Sequence, residues 1–318
     1  MFAARFLSLV FLLLAFFPSC SFFSHDKHDV VATDSCYTVA VDQTANLNKD
    51  LLALLEFMNI KHDGSLADVV AKTQAQWLRA AGKERWEMPE LLVTGQTEFL
   101  SILRRLGFIA ELQPTKNSYD YALLLGATLS RVRLRLGHLV TLWNQGIRFD
   151  RLVLLGGQRV LEKNFEGEAA LLDRSNTDLP IRKEWQFTRT IPTTEIEMMR
   201  CVYDQADMPE LMRKVPVTFV DSLMRQRADG ALVRPTTIDT INDWLVMSPQ
   251  AGSCLVLSNQ PYVLYQHSVV QTALPQEFYV ETVGKAVDEE DDNNAVYLDT
   301  VARWLYQEKQ RLEQKKNK

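Results

Sequence analysis

The sequence has few cysteines, little excess charge and only one long apolar run, and each shortage argues against a class of protein. It has 4 cysteines among 318 residues, and none lies in a CxxC pair or a Cys/His spacing typical of a metal site. The formal net charge of −5 argues against an extended nucleic-acid footprint. Beyond the first apolar run, no stretch approaches the roughly 18 apolar residues of a membrane-spanning helix, so the remainder is predicted to be soluble.

Common catalytic motifs are missing as well. The chain contains no GxGxxG, GxxxxGK[ST], GxSxG or HExxH motif, and none of its 5 histidines sits beside an obvious nucleophile. An acidic run over residues 288–292 is predicted to be a solvated turn, because such runs repel one another into solvent. The sequence therefore predicts no metal site and leaves any cofactor unknown.

The N-terminus has the layout of a signal peptide. Arg5 precedes a run from Phe6 to Phe17 that is apolar except for one serine, and Pro18-Ser19-Cys20 follows. This run is too short to cross a bilayer comfortably as a helix, so export is predicted. Cys20, directly after the run and a small residue, also resembles a bacterial lipoprotein cleavage site. We therefore predict a signal peptide over residues 1–19, lipidation at Cys20 and a lipid anchor on the periplasmic side of a bacterial membrane; the alternative is an uncleaved N-terminal anchor.

The periodicity of apolar residues divides the rest of the chain. Residues 20–45 are polar and mixed and are predicted to be a tether, whereas residues 46–116 carry three helical stripes. This helical segment either packs onto the sheet domain or forms a small subdomain. Residues 117–318 alternate strands with helices, which predicts a Rossmann-like, doubly wound α/β domain with a mostly parallel sheet. The strand candidates are 120–126, 151–156, 215–220, 253–258 and 277–283, and the helix candidates are 129–146, 193–206, 237–247, 261–273 and 294–314.

Glycines and polar residues follow the predicted strands. In open parallel sheets, ligands bind beyond the carboxyl ends of the strands, so these residues are the first candidates for a site. The predicted ligand-binding residues are Gly126, Thr128, Arg131, Gly156, Gly157, Thr237, Thr240, Ser258 and Asn259.

The first of these loops suits an anion. Gly126 lets a ligand approach the backbone, the amides of the following helix start attract negative charge, and Arg131 is placed to clamp it. The alternative is a tight turn with a solvated arginine. Arg133 and Arg135 are expected on the outer face of the helix.

Two carboxylates are candidate catalytic residues, Glu195 and Asp239. Thr194 and Glu197 fit a capping box, which leaves Glu195 at a helix start facing the sheet edge. A carboxylate there suits a general base, a hydrogen bond to a ribose or a cation site, although a favourable charge near the helix dipole is an equal alternative. Asp239 lies in the first turn of a later helix. The long charged stretch 159–192 before them is typical of a lid or another functional insertion.

The order of these motifs resembles the YdcF/SanA/ElyC family of envelope-associated α/β domains, over about Tyr119 to Lys285. The resemblance rests on a strand ending in Leu125-Gly126 before a helix with Arg131 or Arg133, a strand ending in Gly156-Gly157, a helix start at Thr194-Glu195-Ile196-Glu197, the helix from Thr237 to Asp243, and a strand ending at Ser258. The sequence departs from the family pattern at Asp239, Asn242 and Asn259-Gln260. The resemblance implies a Rossmann-like domain tied to the cell envelope with a polar crevice.

The leading hypothesis is an exported, membrane-tethered α/β protein that binds a small anionic or nucleotide-like molecule and acts in cell-envelope biogenesis. Its expected partners are that ligand and a membrane, which it contacts through the N-terminal anchor. No nucleic-acid partner is expected. One alternative is a hydrolase or transferase acting on an envelope precursor. The other is an interaction scaffold that uses the helical segment and the 159–192 insertion.

Overall fold

The computed structural model describes residues 37–188, 190–287 and 293–316. The predicted signal peptide, Cys20 and the acidic run 288–292 lie outside these residues. The described part contains eleven α-helices. They are α1 (Lys49–Phe57), α2 (Leu66–Trp77), α3 (Gln96–Arg105), α4 (Leu129–Asn144), α5 (Lys163–Glu166), α6 (Glu168–Leu171), α7 (Glu195–Gln205), α8 (Glu210–Arg213), α9 (Thr237–Val246), α10 (Val263–Ala273) and α11 (Asn294–Lys316).

Five strands form one parallel sheet, and two more form a short antiparallel hairpin. The strands are β1 (Ser118–Leu125), β2 (Arg148–Gly157), β3 (Val217–Ser222), β4 (Arg225–Gln226), β5 (Leu232–Val233), β6 (Ser253–Asn259) and β7 (Tyr279–Lys285). The order across the main sheet is β3-β2-β1-β6-β7, so the strand order reverses between β1 and β6. That reversal is the topological switch point of a doubly wound fold. The predicted Rossmann-like α/β fold is confirmed.

The central strands are apolar along their length because both faces of the sheet are covered. Leu123 and Leu124 of β1 are fully buried in different core clusters. Leu124 belongs to the cluster with α4 and α7, and Leu123 to the cluster with α9 and α10. Burial of each leucine contributes about 1.5–3 kcal/mol, so the continuous apolar run specifies a strand with two dry faces.

The N-terminal helices pack onto the end of the α/β domain. Side chains from α1, α3 and α11, such as Leu55, Phe99 and Trp304, share a third core cluster. Gln260, which follows β6, donates from Nε2 to the carbonyls of Gly107 and Ala110, at 3.0 and 2.7 Å. These contacts fix the helical segment beside the loop that follows β6, and all the described residues belong to one compact unit.

The residues from Tyr37 onward pack against the same body. The Tyr37 hydroxyl donates to the carbonyl of Thr282 at 2.8 Å and accepts from its amide at 2.7 Å. Its ring stacks on that of His267 at 3.8 Å between centroids. A tether predicted over residues 20–45 would therefore end before Tyr37. Within the described ranges, no helix combines the length and apolarity that crossing a membrane requires.

The long stretch between β2 and α7 is fixed onto α4. Arg133, 3% exposed, donates from Nη1 to the Ala170 carbonyl at 3.0 Å and from Nη2 to the Leu171 carbonyl at 2.7 Å. The prediction that Arg133 lies on the outer face is therefore wrong, because the insertion covers that face. Apart from the short helices α5 and α6, the described part of the insertion is irregular, as its composition indicated.

Candidate functional site

The predicted site residues meet at the carboxyl edge of the sheet. Leu125 pairs with Leu155 and Gly157 pairs with Ser222, so Gly126 and Gly157 end neighbouring strands. Leu124 pairs with Leu257 on the other side, which places Ser258 and Asn259 beside Leu125 and Gly126. Pro235 packs directly on Gly157, since a Cβ built on Gly157 would lie 2.3 Å from Pro235 Cγ. Thr237, two residues later, begins α9 at the same edge. The switch point and the loops around it thus share one edge.

A buried guanidinium group lies under the switch point. Arg135 is 2% exposed, and its Nε donates to Asn259 Oδ1 at 3.0 Å. Its Nη1 donates to the carbonyls of Leu125 and Gly126, at 2.8 and 3.0 Å. The prediction that Arg135 faces outward is wrong. The helical stripe of apolar residues that includes Leu139 passes through position 135, so the periodicity did place it on the core face.

The charge of Arg135 has only uncharged acceptors. Besides the carbonyls and Asn259, its Nη2 reaches Gln266 Oε1 at 3.5 Å. Burial lowers the pKa of Arg135 to about 9, and the nearby charges of Arg131 and Arg85 add to this effect. Arg135 thus places a buried positive charge without a hydrogen-bonded carboxylate at the switch point, although the charge of Glu195 acts on it from the same edge.

Glu195 is the first residue of α7 and lies against Gly126. A Cβ on Gly126 would lie 2.7 Å from Glu195 Oε2, so only glycine leaves room for this carboxylate. Burial raises the pKa of Glu195, although the charges of Arg159 and Arg234 and the amide of Gly157 oppose the rise. Glu195 lies at the sheet edge as predicted, but it is not free, because Arg159 Nε donates to its Oε1 at 3.4 Å.

A buried ion pair beside Glu195 was not predicted. Arg159 donates from Nη1 and Nη2 to the two carboxylate oxygens of Glu166, at 2.8 and 2.9 Å. Burial raises the pKa of Glu166, but the hydrogen bonds from Arg159 and from the amides of Glu162 and Leu129 outweigh burial and lower it below its usual range. Arg159 lies in irregular chain and Glu166 ends the four-residue helix α5, so no periodic pattern spans this pair.

Glu166 also occupies the start of α4. The amide of Leu129 donates to Glu166 Oε1 at 3.0 Å, whereas the N-cap residue Thr128 makes no side-chain capping bond. The predicted attraction of this helix start for an anion is thus met, at Leu129, by a carboxylate of the same chain. Arg159 adds a hydrogen bond from Nη2 to the Ala127 carbonyl at 3.2 Å. The network ties the loop after β1 to the loop after β2.

Asp239 serves a helix cap. Its Oδ2 accepts from the amide and hydroxyl of Thr236, both at 2.6 Å, and its Oδ1 pairs with Arg225 at 3.1 Å. Thr236 is the capping residue of α9, and Thr240 donates from its hydroxyl to the Thr237 carbonyl at 2.9 Å. These contacts give Asp239 and Thr240 structural roles at the start of α9.

The other predicted residues also make internal contacts. Ser258 donates from its hydroxyl to Gln266 Oε1. A Cβ on Gly156 would lie 2.7 Å from Met199 Sδ, so Gly156 allows α7 to approach β2. Thr194 and Glu197 form the predicted capping box. Arg131, in the first turn of α4, lies close enough to Arg135 for its charge to help lower the pKa of Arg135.

A short segment of the N-terminal helical region reaches this edge, which the sequence did not indicate. Glu84 Oε2 accepts from Arg234 Nη2 at 3.2 Å, and the guanidinium group of Arg85 lies over the Tyr262 ring at 4.2 Å. Tyr262 immediately precedes α10, just after the loop that follows β6. Segment 84–87 therefore lies beside the loops at the switch point.

Neither a metal-binding cluster in the described part of the chain nor a known relative identifies the chemistry of this edge. Among the described residues, no group of three or more histidine, cysteine, aspartate or glutamate side chains is arranged to hold a metal ion. No protein-family model matches the chain, and no curated protein matches it. The chain is therefore identified by its fold alone, as an α/β protein with a Rossmann-like five-stranded parallel sheet.

Proposed function

We propose that this protein binds a small anionic or nucleotide-like molecule in the crevice at the switch point between β1 and β6. The observation that carries the proposal is the buried charge of Arg135, which has only uncharged acceptors and lies directly beneath this edge. Arg131 and Arg85 add positive charge around it. An anion is the ligand that such a field attracts, and the switch point is where doubly wound sheets bind their ligands.

The wider role that we propose is in cell-envelope biogenesis. The predicted signal peptide and Cys20 support export and a lipid anchor on the periplasmic side of a bacterial membrane. The motif order that resembles the YdcF/SanA/ElyC family supports the same role. The Rossmann-like, five-stranded parallel sheet is the fold class that this resemblance implies.

A ligand screen tests the proposal. We expect a nucleotide, a sugar phosphate or a polyprenyl phosphate to raise the melting temperature, since a ligand present at about 100 times its Kd stabilises the folded state by about 2.7 kcal/mol. Arg131→Ala should remove most of the shift by removing a charge at the edge. Arg151→Ala is the matched control, because Arg151 is an exposed arginine near the opposite, amino end of β2. No shift with any of the three ligand classes, or equal shifts in both variants, contradicts the proposal.

A hydrolase or transferase is the second candidate, and the environment of Glu195 favours it. The Glu195 side chain is 13% exposed at the carboxyl edge of the sheet and its pKa is raised by burial, which suits a general base or acid. Asp239, the other predicted catalytic residue, is held by its cap and by Arg225. Glu195 is therefore the better candidate.

Glu195→Gln distinguishes catalysis from plain binding. If the protein is an enzyme, turnover of the bound ligand should fall by at least about 100-fold, the usual contribution of a general base. The fold should persist at pH 7, because glutamine resembles the protonated carboxyl that burial favours. Glu197→Gln, a neighbouring carboxylate in the capping box, is the control for activity. Unchanged turnover in a folded Glu195→Gln variant excludes this role.

The same variant has a characteristic pH dependence. Because the pKa of Glu195 is raised on folding, its favourable contribution is complete below the ordinary value of 4.5 and is lost as the pH rises through the folded-state pKa. The stability of Glu195→Gln relative to the unmodified protein should therefore increase from pH 4 to pH 7. Denaturant titrations at both pH values measure this, and a decrease would contradict the assignment.

A further inference from the structure

Three arginines surround one buried carboxylate close to the crevice. Asp299 of α11 is fully buried, and Arg303 donates to it from Nε and Nη2 at 2.9 and 3.1 Å. Arg79 Nη1 and Arg85 Nε each lie 3.8 Å from Asp299 Oδ2. A single carboxylate therefore faces three guanidinium groups, and only Arg303 is fully hydrogen-bonded to its side chain.

The cluster has an excess of positive charge and unused donors. Arg79 Nη1 and Arg85 Nε are buried and have no hydrogen-bond partner. Burial lowers the pKa of Arg79, and the charges of Arg303 and Arg85 lower it further, although the charges of Asp299 and Glu84 oppose the fall. Like charges this close repel one another unless an anion neutralises them, and buried donors cost free energy until an acceptor meets them. The two features give this cluster the charge and the donors that an anion-binding site requires.

Arg85 connects this cluster to the switch point. Its Nε faces Asp299, while its guanidinium carbon lies 4.2 Å from the centre of the Tyr262 ring. Its charge also contributes to the lowered pKa of Arg135. Arg85 therefore belongs to the cluster around Asp299 and also lies within electrostatic reach of Arg135, whose Nε donates to Asn259 at the end of β6. Two linked anionic groups could therefore contact the arginines around Asp299 and the arginines near the switch point at the same time.

An exposed aromatic pair stands next to Arg85. Trp86 and Phe165 are 43% and 39% exposed, and their rings meet edge to face at 5.1 Å between centroids. Trp86 comes from the helical segment and Phe165 from the insertion, so the contact spans two sides of the edge. Aromatic faces beside guanidinium groups suit the organic part of a phosphate ester.

We propose that the crevice binds a diphosphate ester, with Arg79 and Arg85 holding one phosphoryl group and the Arg131 side of the edge holding the other. Trp86 and Phe165 contact the group that is esterified to the diphosphate. This inference rests on the proposed binding function and adds to it the number of phosphoryl groups and the residues that select them. The guanidinium fork of Arg85 suits phosphate oxygens, and its side chain is 32% exposed.

Calorimetric titration with matched ligands tests the inference. The ligands are AMP, ADP, inorganic phosphate, inorganic pyrophosphate and geranyl diphosphate, and the proteins are the full chain, Arg85→Ala and Arg105→Ala. Arg105 is the control, since it is an arginine of the same helical segment that pairs with Asp50 at 2.7 Å on the surface. We expect diphosphates to bind at least about tenfold more tightly than the corresponding monophosphates, and Arg85→Ala, not Arg105→Ala, to abolish this preference.

The outcomes separate the inference from the function on which it rests. Equal affinities for ADP and AMP, or a preference that survives Arg85→Ala, overturn the inference and leave the anion-binding proposal standing. If no phosphate compound binds, both are wrong. Tighter binding of ADP than of geranyl diphosphate supports a nucleotide as the source of the diphosphate, and the reverse supports a lipid. Melting curves without ligand confirm that Arg85→Ala is folded.

Discussion

Glu166→Gln is expected to destabilise the folded protein by about 3–5 kcal/mol at pH 7, the usual loss when one partner of a buried ion pair is removed. The substitution breaks the two-pronged contact with Arg159 and leaves that guanidinium group, 7% exposed, without its main counter-charge. It also weakens the hydrogen bond to the amide of Leu129 at the start of α4. Denaturant unfolding monitored by circular dichroism measures the change.

The loss should depend on pH with a definite sign. The pKa of Glu166 is lowered on folding, so its stabilising contribution is complete above the ordinary value of 4.5 and is lost as the pH falls through the folded-state pKa. The difference between the unmodified protein and Glu166→Gln should therefore shrink in acid, opposite to the behaviour of Glu195→Gln. Glu168→Gln, an exposed neighbour, is the control. A loss below about 1 kcal/mol, typical of a surface pair, would contradict a buried role.

Gly137→Ala is expected to cost about 3 kcal/mol or more, at the upper end of the range for overpacking. A Cβ at this position in the middle of α4 would lie 1.9 Å from the carbonyl oxygen of Asp178, which is backbone and has no side-chain freedom to move away. The gain of about 1 kcal/mol in helix propensity on replacing glycine by alanine is too small to offset this clash.

The same substitution also tests whether the insertion packs on α4. If residues around Asp178 rest on α4, Gly137→Ala should displace them and expose the Arg133 contacts with Ala170 and Leu171. Faster hydrogen exchange at α6 would report this. Asn144→Ala, an exposed change at the end of α4, should alter stability by less than about 0.5 kcal/mol. Similar stability of both variants would show that the insertion does not pack there.

The fold was predictable because its signals are local. The apolar runs predicted all five strands of the main sheet; β1, β3 and β7 depart from their predicted bounds by about two residues, and β2 begins about three residues earlier than predicted. The helix starts at Thr194 and Thr236 follow from capping patterns within four residues. The short hairpin of β4 and β5 was missed, since strands of two residues carry no periodicity.

The site was only partly predictable because its contacts are distant in sequence. The placement of Glu195 beside Gly126 follows from parallel strands ending at one edge. The same rule says nothing of Arg85, which comes from the helical segment and reaches Tyr262 across the fold. Asp239 had the right position for a catalytic carboxylate, but its capping pattern with Thr236 was the stronger signal.

The central claim is that positive charge at the switch point binds an anion. A crystal soaked with tungstate, an electron-dense mimic of phosphate, tests this claim most directly. Anomalous scattering locates the anion without any assumption about its partner groups. We expect a peak at the loops after β1 and β6, between Arg85 and Arg131 and above Arg135. A peak that lies elsewhere on the surface, with none at this edge, would contradict the account.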